Sequence, residues 1–178
     1  MTESPVNQSE APRFAIFRAK DAQPEEEMTV MSYEQPSPAV AAAAARMKDA
    51  GYEAGSRLRL LFEMPGMSLV QVWFKSEFPL PRHSHNADCL YYIVAGSLRI
   101  GQEELGPGDG FFVGSDVPYA YTPGPEGVEV LEFRTSNAFN IRVLANNPLF
   151  WDKAVETVRK QQSAWASETE LPSSRRSG

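Results

Sequence analysis

The chain has 178 residues, 42% of them hydrophobic, which is enough to build the core of one domain with terminal extensions. Its net charge is −6 with no basic run, which argues against nucleic acid as a partner. One cysteine excludes an internal disulfide framework, and no apolar run is long enough to span a membrane. With no signal-peptide pattern at the N-terminus, a cytoplasmic location is expected.

Residues 1–35 are rich in Pro, Glu, Ser and Gln and read as a flexible extension. Their one apolar patch, Phe14-Ala15-Ile16-Phe17, is able to add an edge strand or dock on the domain. Residues 36–56 read as a helix and linker. Ser37 is an N-cap, Pro38 the first helical residue, and residues 39–50 an alanine-rich helix that stops at Gly51. Its small side chains suit close packing on a sheet or a partner chain.

From Arg57 to Thr135 the texture is that of short strands, at 58–62, 68–74 and 89–95. A turn is expected at Gly96-Ser97, then a hairpin across Gly101-Gln102 and a loop at 106–110. Strands at 111–113, 118–121 and 128–134 follow, the last two separated by a loop at 123–127. Many short strands with turn signals between them predict a single β-sandwich or barrel. Residues 135–147 read as irregular. Asn147 and Pro148 open an amphipathic helix over 149–162, within a C-terminal segment at 136–165, and residues 166–178 read as a disordered tail.

The only two histidines, His83 and His85, flank one serine just before the only cysteine, Cys89. In an extended strand alternate side chains share a face, so both imidazoles point the same way. They are then close enough to hold one metal ion or one substrate. Cys89 shares the face of Tyr91, Ile93 and Ala95.

This stretch, with Leu98-Arg99-Ile100-Gly101 and Gly106-Pro107-Gly108-Asp109-Gly110-Phe111-Phe112-Val113 after it, resembles the cupin family over residues 57–135. The resemblance implies a double-sheet jelly-roll barrel with a metal held in its mouth by three histidines and a glutamate. His83, His85, Gly96 and Gly108 keep the family's pattern. Glu77 stands for its first Gly, Cys89 for its Glu, Gly114 for its Pro, Asp116 for its second Gly, Tyr119 for its third His and Pro123 for its Asn. Two of four expected ligands survive.

A further ligand would come from Cys89, Asp88, Tyr91, Tyr119 or Glu132. Cys89 is either a thiolate beside two imidazoles or a small wall residue. Tyr119 ligates iron, donates a proton, bonds a substrate oxygen, or is an ordinary strand aromatic. Glu132 is a ligand, a base or a solvated group, since alternation alone does not say which side of the sheet is inside.

The first expectation is therefore a metal-dependent, dioxygenase-like enzyme. It would use one divalent Fe, Zn, Ni or Cu ion held by His83, His85, Cys89, Tyr119 and Glu132, with Tyr119 and Tyr91 as catalytic groups. The expected wall of Trp73, Tyr91, Ile93, Phe112, Tyr119 and Tyr121 suits a small apolar or aromatic substrate. A metal-free His/Tyr acid–base isomerase or epimerase, and a non-catalytic binding domain with a decayed metal site, are the alternatives. A homodimer is implied by the resemblance alone.

Overall fold

A computed structural model describes residues 11–175. The fold is mainly β, with antiparallel sheets and the two helices that the local sequence predicts. The strands are β1 (Gln23–Pro24), β2 (Met31–Tyr33), β3 (Ser56–Met64), β4 (Met67–Phe74), β5 (His83–Ser84), β6 (Cys89–Ile100), β7 (Glu103–Leu105), β8 (Gly110–Val113), β9 (Thr122–Arg134) and β10 (Phe139–Val143). The helices are α1 (Pro38–Asp49) and α2 (Pro148–Ser167). The large sheet runs β1-β3-β4-β9-β6-β7, with β8 also on β6, and a small sheet runs β2-β10-β5. The expected double-sheet architecture is present as these two sheets, which do not join into one closed barrel among the described residues. All pairings are antiparallel except that of β2 with β10.

Both helix starts follow from local chemistry. The Ser37 hydroxyl accepts from the Val40 N–H at 3.3 Å, and the Asn147 amide oxygen accepts from the Leu149 N–H at 3.0 Å. A proline follows each cap, where a missing N–H costs nothing. Helix α1 buries Val40, Ala43 and Met47, three to four residues apart, and ends where Gly51 takes φ 92°. Helix α2 runs a turn past its expected end because Trp165, fully buried, fills a slot against Phe78 and donates to the Ser76 carbonyl at 2.9 Å. A Cβ on Gly55 would come within 2.6 Å of both rings, so only glycine leaves that slot open.

Several boundaries differ from expectation for identifiable reasons. Gly96-Ser97 is a bulge inside the long strand β6. Gly96 has φ 75°, and a Cβ there would meet the Gly127 carbonyl oxygen at 2.1 Å. The expected loop at 123–127 is the first half of β9, and residues 118–121 form only a single bridge, His83 with Tyr119. The irregular segment after Arg134 contains β10, whose pairing with both β2 and β5 builds the small sheet.

The terminal segments are more ordered than their composition suggests. Val30 is buried, and β1 and β2 each pair with a strand of the domain. Phe14 and Ile16 stay exposed, while Phe17 packs at 5.8 Å on Phe62. After α2 the Glu168 carboxylate accepts from Ser76, and the Ser173 N–H donates to the buried Glu129 at 3.1 Å. Residues 1–10 and 176–178, parts of the expected flexible ends, lie outside the described residues.

Candidate functional site

A cavity of about 320 Å³ lies between the sheets and α1. Val72 and Phe74 of β4 form its floor, and Met31 with Val40 and Met47 of α1 forms its cover. His83, His85, Tyr119, Tyr121, Glu132 and Arg134 gather its polar groups. The volume is near the lower end for small-molecule pockets and would hold about ten waters.

The two histidines share the cavity face, as alternation predicts. Their rings sit 5.1 Å apart, edge to face. His83 is held by two backbone bonds to Tyr119, of 3.0 and 2.9 Å, and by the pairing of β5 with β10. Each imidazole donates its Nδ1–H to a backbone carbonyl: His83 to Pro81 at 2.7 Å, and His85 to Asn140 at 2.6 Å. A carbonyl only accepts, so the neutral ring keeps its lone pair on Nε2 in both cases. Burial lowers His83. His85 falls to about 3 through burial, then the Arg134 charge, then His83. Both rings are therefore neutral at pH 7.

His83 Nε2 is already engaged. It accepts from the Tyr119 hydroxyl at 2.9 Å, and Tyr119 is bonded in turn to the Tyr91 hydroxyl. Arg134 donates Nη2–H to Tyr91 at 3.2 Å and Nη1–H to the Glu132 carboxylate. The Arg134 guanidinium also lies 4.3 Å over the Phe139 ring. Burial raises both phenols well above their usual range, the nearby Glu132 charge adds to this, and both keep their protons. His85 Nε2, the outer Glu132 oxygen and the Tyr121 hydroxyl have no hydrogen-bond partner among the described residues.

The structure brings His83, His85, Tyr119 and Glu132 to one cavity and leaves two expected candidates behind it. Tyr91 is 1% exposed and stacks on Phe111 at 4.4 Å, beneath Tyr119. Cys89 is buried outside the lining, and burial pushes its thiol up to about 12, so it is not a thiolate. Of the expected wall, Tyr119 and Tyr121 line the cavity, Ile93 is buried behind it with Tyr91, and two residues point elsewhere. Phe112 is exposed on the far side of β8, where Phe111 turns inward, and Trp73 faces away from the cavity that Val72 and Phe74 line. The expected set was one residue out of phase at these positions.

These donors do not fit a metal ion of the four-ligand kind. Among the described residues no three His, Cys, Asp or Glu side chains come together as a metal-binding group. Glu132 is tied to Arg134, Tyr119 caps His83 Nε2, and a buried guanidinium within reach of both imidazoles opposes a second cation. The pinned Nδ1–H groups are the one feature that metal-binding histidines share.

Sequence reasoning missed Arg134 and the cover. Arg134 stands two residues after Glu132 on one strand, and that spacing is the signal that places both on one face. Val40 and Met47 of the cover lie on the expected helix, but Met31 comes from residues read as a flexible extension. Tyr33 and Glu34 also reach the cavity, and the Glu34 carboxylate holds Arg142 through two bonds of 2.6 and 3.0 Å and Asn140 through one of 2.6 Å.

No protein-family model and no curated protein matches the chain. Solved structures resemble parts of it. KdgF from Halomonas sp. is 20% identical, covering 46% of this chain and 79% of that one at a TM-score of 0.40. An RmlC-like cupin from Shewanella frigidimarina is 22% identical, covering 46% and 77% at 0.42. The polyketide cyclase RemF from Streptomyces resistomycificus is 17% identical, covering 60% and 82% at 0.47.

Proposed function

We propose that this protein binds one small, neutral, largely apolar molecule in the cavity beneath α1, with the polar cluster orienting one end of it. The observation that carries this reading is an apolar cavity of about 320 Å³ in which the one buried charge pair among the described residues is internally matched. Arg134 and Glu132 cancel, and both imidazoles and the facing phenols are neutral. Any ligand with a net charge would bring an uncompensated charge out of water, at a cost of several kcal/mol. A neutral molecule avoids that cost and gains from every apolar group it buries, about 0.8 kcal/mol per methylene.

A proton-transfer enzyme is the second reading, favoured by the 2.9 Å contact between Tyr119 and His83. The raised phenol and lowered imidazole keep the proton on Tyr119 in the resting state, so chemistry would need the ligand to change that balance. Incorporation of solvent deuterium into a bound ligand distinguishes it from binding alone.

The test of the leading reading is thermal unfolding against a panel of small neutral apolar molecules, with Val40→Trp as the blocked control. A ligand at a hundred times its Kd stabilises the folded state by about 2.7 kcal/mol. Panel members that raise Tm in the parent and leave Val40→Trp unmoved support the reading. No shift across the panel, or equal shifts in the blocked variant, refutes it.

A further inference from the structure

We infer that the molecule held in this cavity presents a hydrogen-bond donor at its polar end, a neutral alcohol or phenol rather than a carboxylate, ketone or ether. The inference rests on the binding reading above and follows from counting protons.

The Tyr91 oxygen accepts from Arg134, and its one proton goes to Tyr119, whose own proton is spent on His83. The one proton of Tyr119 goes to His83 Nε2, which has only a lone pair because the His83 proton is given to Pro81. The proton of His85 is given to Asn140. The row Arg134, Tyr91, Tyr119, His83, Pro81 therefore runs in one direction, and neither tyrosine hydroxyl in it has a proton left for a ligand.

Two acceptors facing the cavity remain without partners among the described residues: the Nε2 lone pair of His85 and the outer oxygen of Glu132. The Tyr121 hydroxyl is a third unpartnered group and both gives and takes; the Arg134 Nε–H also lacks a partner among the described residues, but that atom is sealed from the cavity. The side chain of Arg134 is 2% exposed against 10% for Glu132, so the carboxylate is the charged group nearer the ligand.

A hydroxyl satisfies this set, because it donates to the His85 Nε2 lone pair and accepts from Tyr121. A ketone or ether accepts from Tyr121 but leaves the His85 and Glu132 acceptors unpaired. A carboxylate meets a lone pair and a second carboxylate. An ammonium ion suits Glu132 but adds a second cation beside the buried Arg134 guanidinium.

The test uses the full chain and three probes of nearly equal size: para-propylphenol, para-propylanisole and para-propylbenzoate. Calorimetric titration is expected to show the phenol binding about tenfold more tightly than the anisole, the worth of one buried hydrogen bond, and the benzoate not binding measurably. His85→Phe should bring the phenol down to the anisole's affinity. Anisole equal to phenol, or benzoate bound most tightly, overturns the donor inference and leaves the binding reading standing. Failure of all three to bind overturns the binding reading, and the inference with it. The parent's ranking of the probes does not depend on the variant's folding.

Discussion

Replacing Glu132 by glutamine tests the buried charge pair on which the neutral cavity depends. The two side chains are 10% and 2% exposed, and the Arg134 guanidinium has Tyr91 and the Phe139 ring as its other partners. Glutamine keeps the shape and one acceptor but leaves the guanidinium charge unmatched. Breaking a buried pair on one side costs about 3–5 kcal/mol. For a chain of this size each kcal/mol lowers Tm by about 2–4 °C, so a fall of roughly 6–20 °C is expected. The double variant Glu132→Leu, Arg134→Met removes both charges and both desolvation costs. Tyr91 still donates to Tyr119, so the double variant should be close to the parent in stability. Urea unfolding at constant m measures all of these differences. A loss below about 1 kcal/mol for Glu132→Gln would show that the pair is solvated. A double variant as unstable as the sum of the single ones would show that the two charges do not depend on each other. Either result would refute the reasoning.

Four further outcomes follow from the same contacts. Tyr119→Phe leaves His83 Nε2 and the Tyr91 proton without their partner, and should cost about 1–3 kcal/mol in urea unfolding. Trp165→Ala empties the slot beside Gly55 and should cost about 3–5 kcal/mol; a neutral result would mean that α2 does not pack there. Stability should be full above pH 6.5 and fall as pH drops from there towards 3. In that window the unfolded chain takes up histidine protons that the folded one refuses, with His85 held near 3, and a flat profile of unfolding free energy would contradict this. Glu34→Gln loosens the exposed contact that ties the cover to Arg142, so stopped-flow binding of a cavity ligand should show a faster on-rate with little change in the cavity's preference among ligands.

What the sequence made legible was local. Ser37-Pro38 and Asn147-Pro148 announce both helices, because a cap and its proline act within four residues. The shared face of His83 and His85 needs only strand alternation. The part of the cover at Met31 was missed because Val30 and Met31 sit among glutamates and prolines, and their placement depends on β10, more than a hundred residues away. Arg134 was missed because an arginine at a strand end reads as solvated until Glu132, Tyr91 and Phe139 are seen around it. Cys89 was placed on the right face but too deep: it lies behind the lining, where a thiol packs as a small apolar group. The bulge at Gly96 was read as a turn, since Gly-Ser between apolar runs gives the same composition for either.

With only two histidines in the chain, nitrogen NMR of the ring atoms during a titration with para-propylphenol tests the central claim most directly. The account predicts two neutral rings protonated on Nδ1 at pH 7. A saturable shift should appear at His85 Nε2, while His83 Nε2 keeps its bond to Tyr119. Rings protonated on Nε2, or nitrogens that ignore the phenol and respond together to a divalent metal ion, would contradict it.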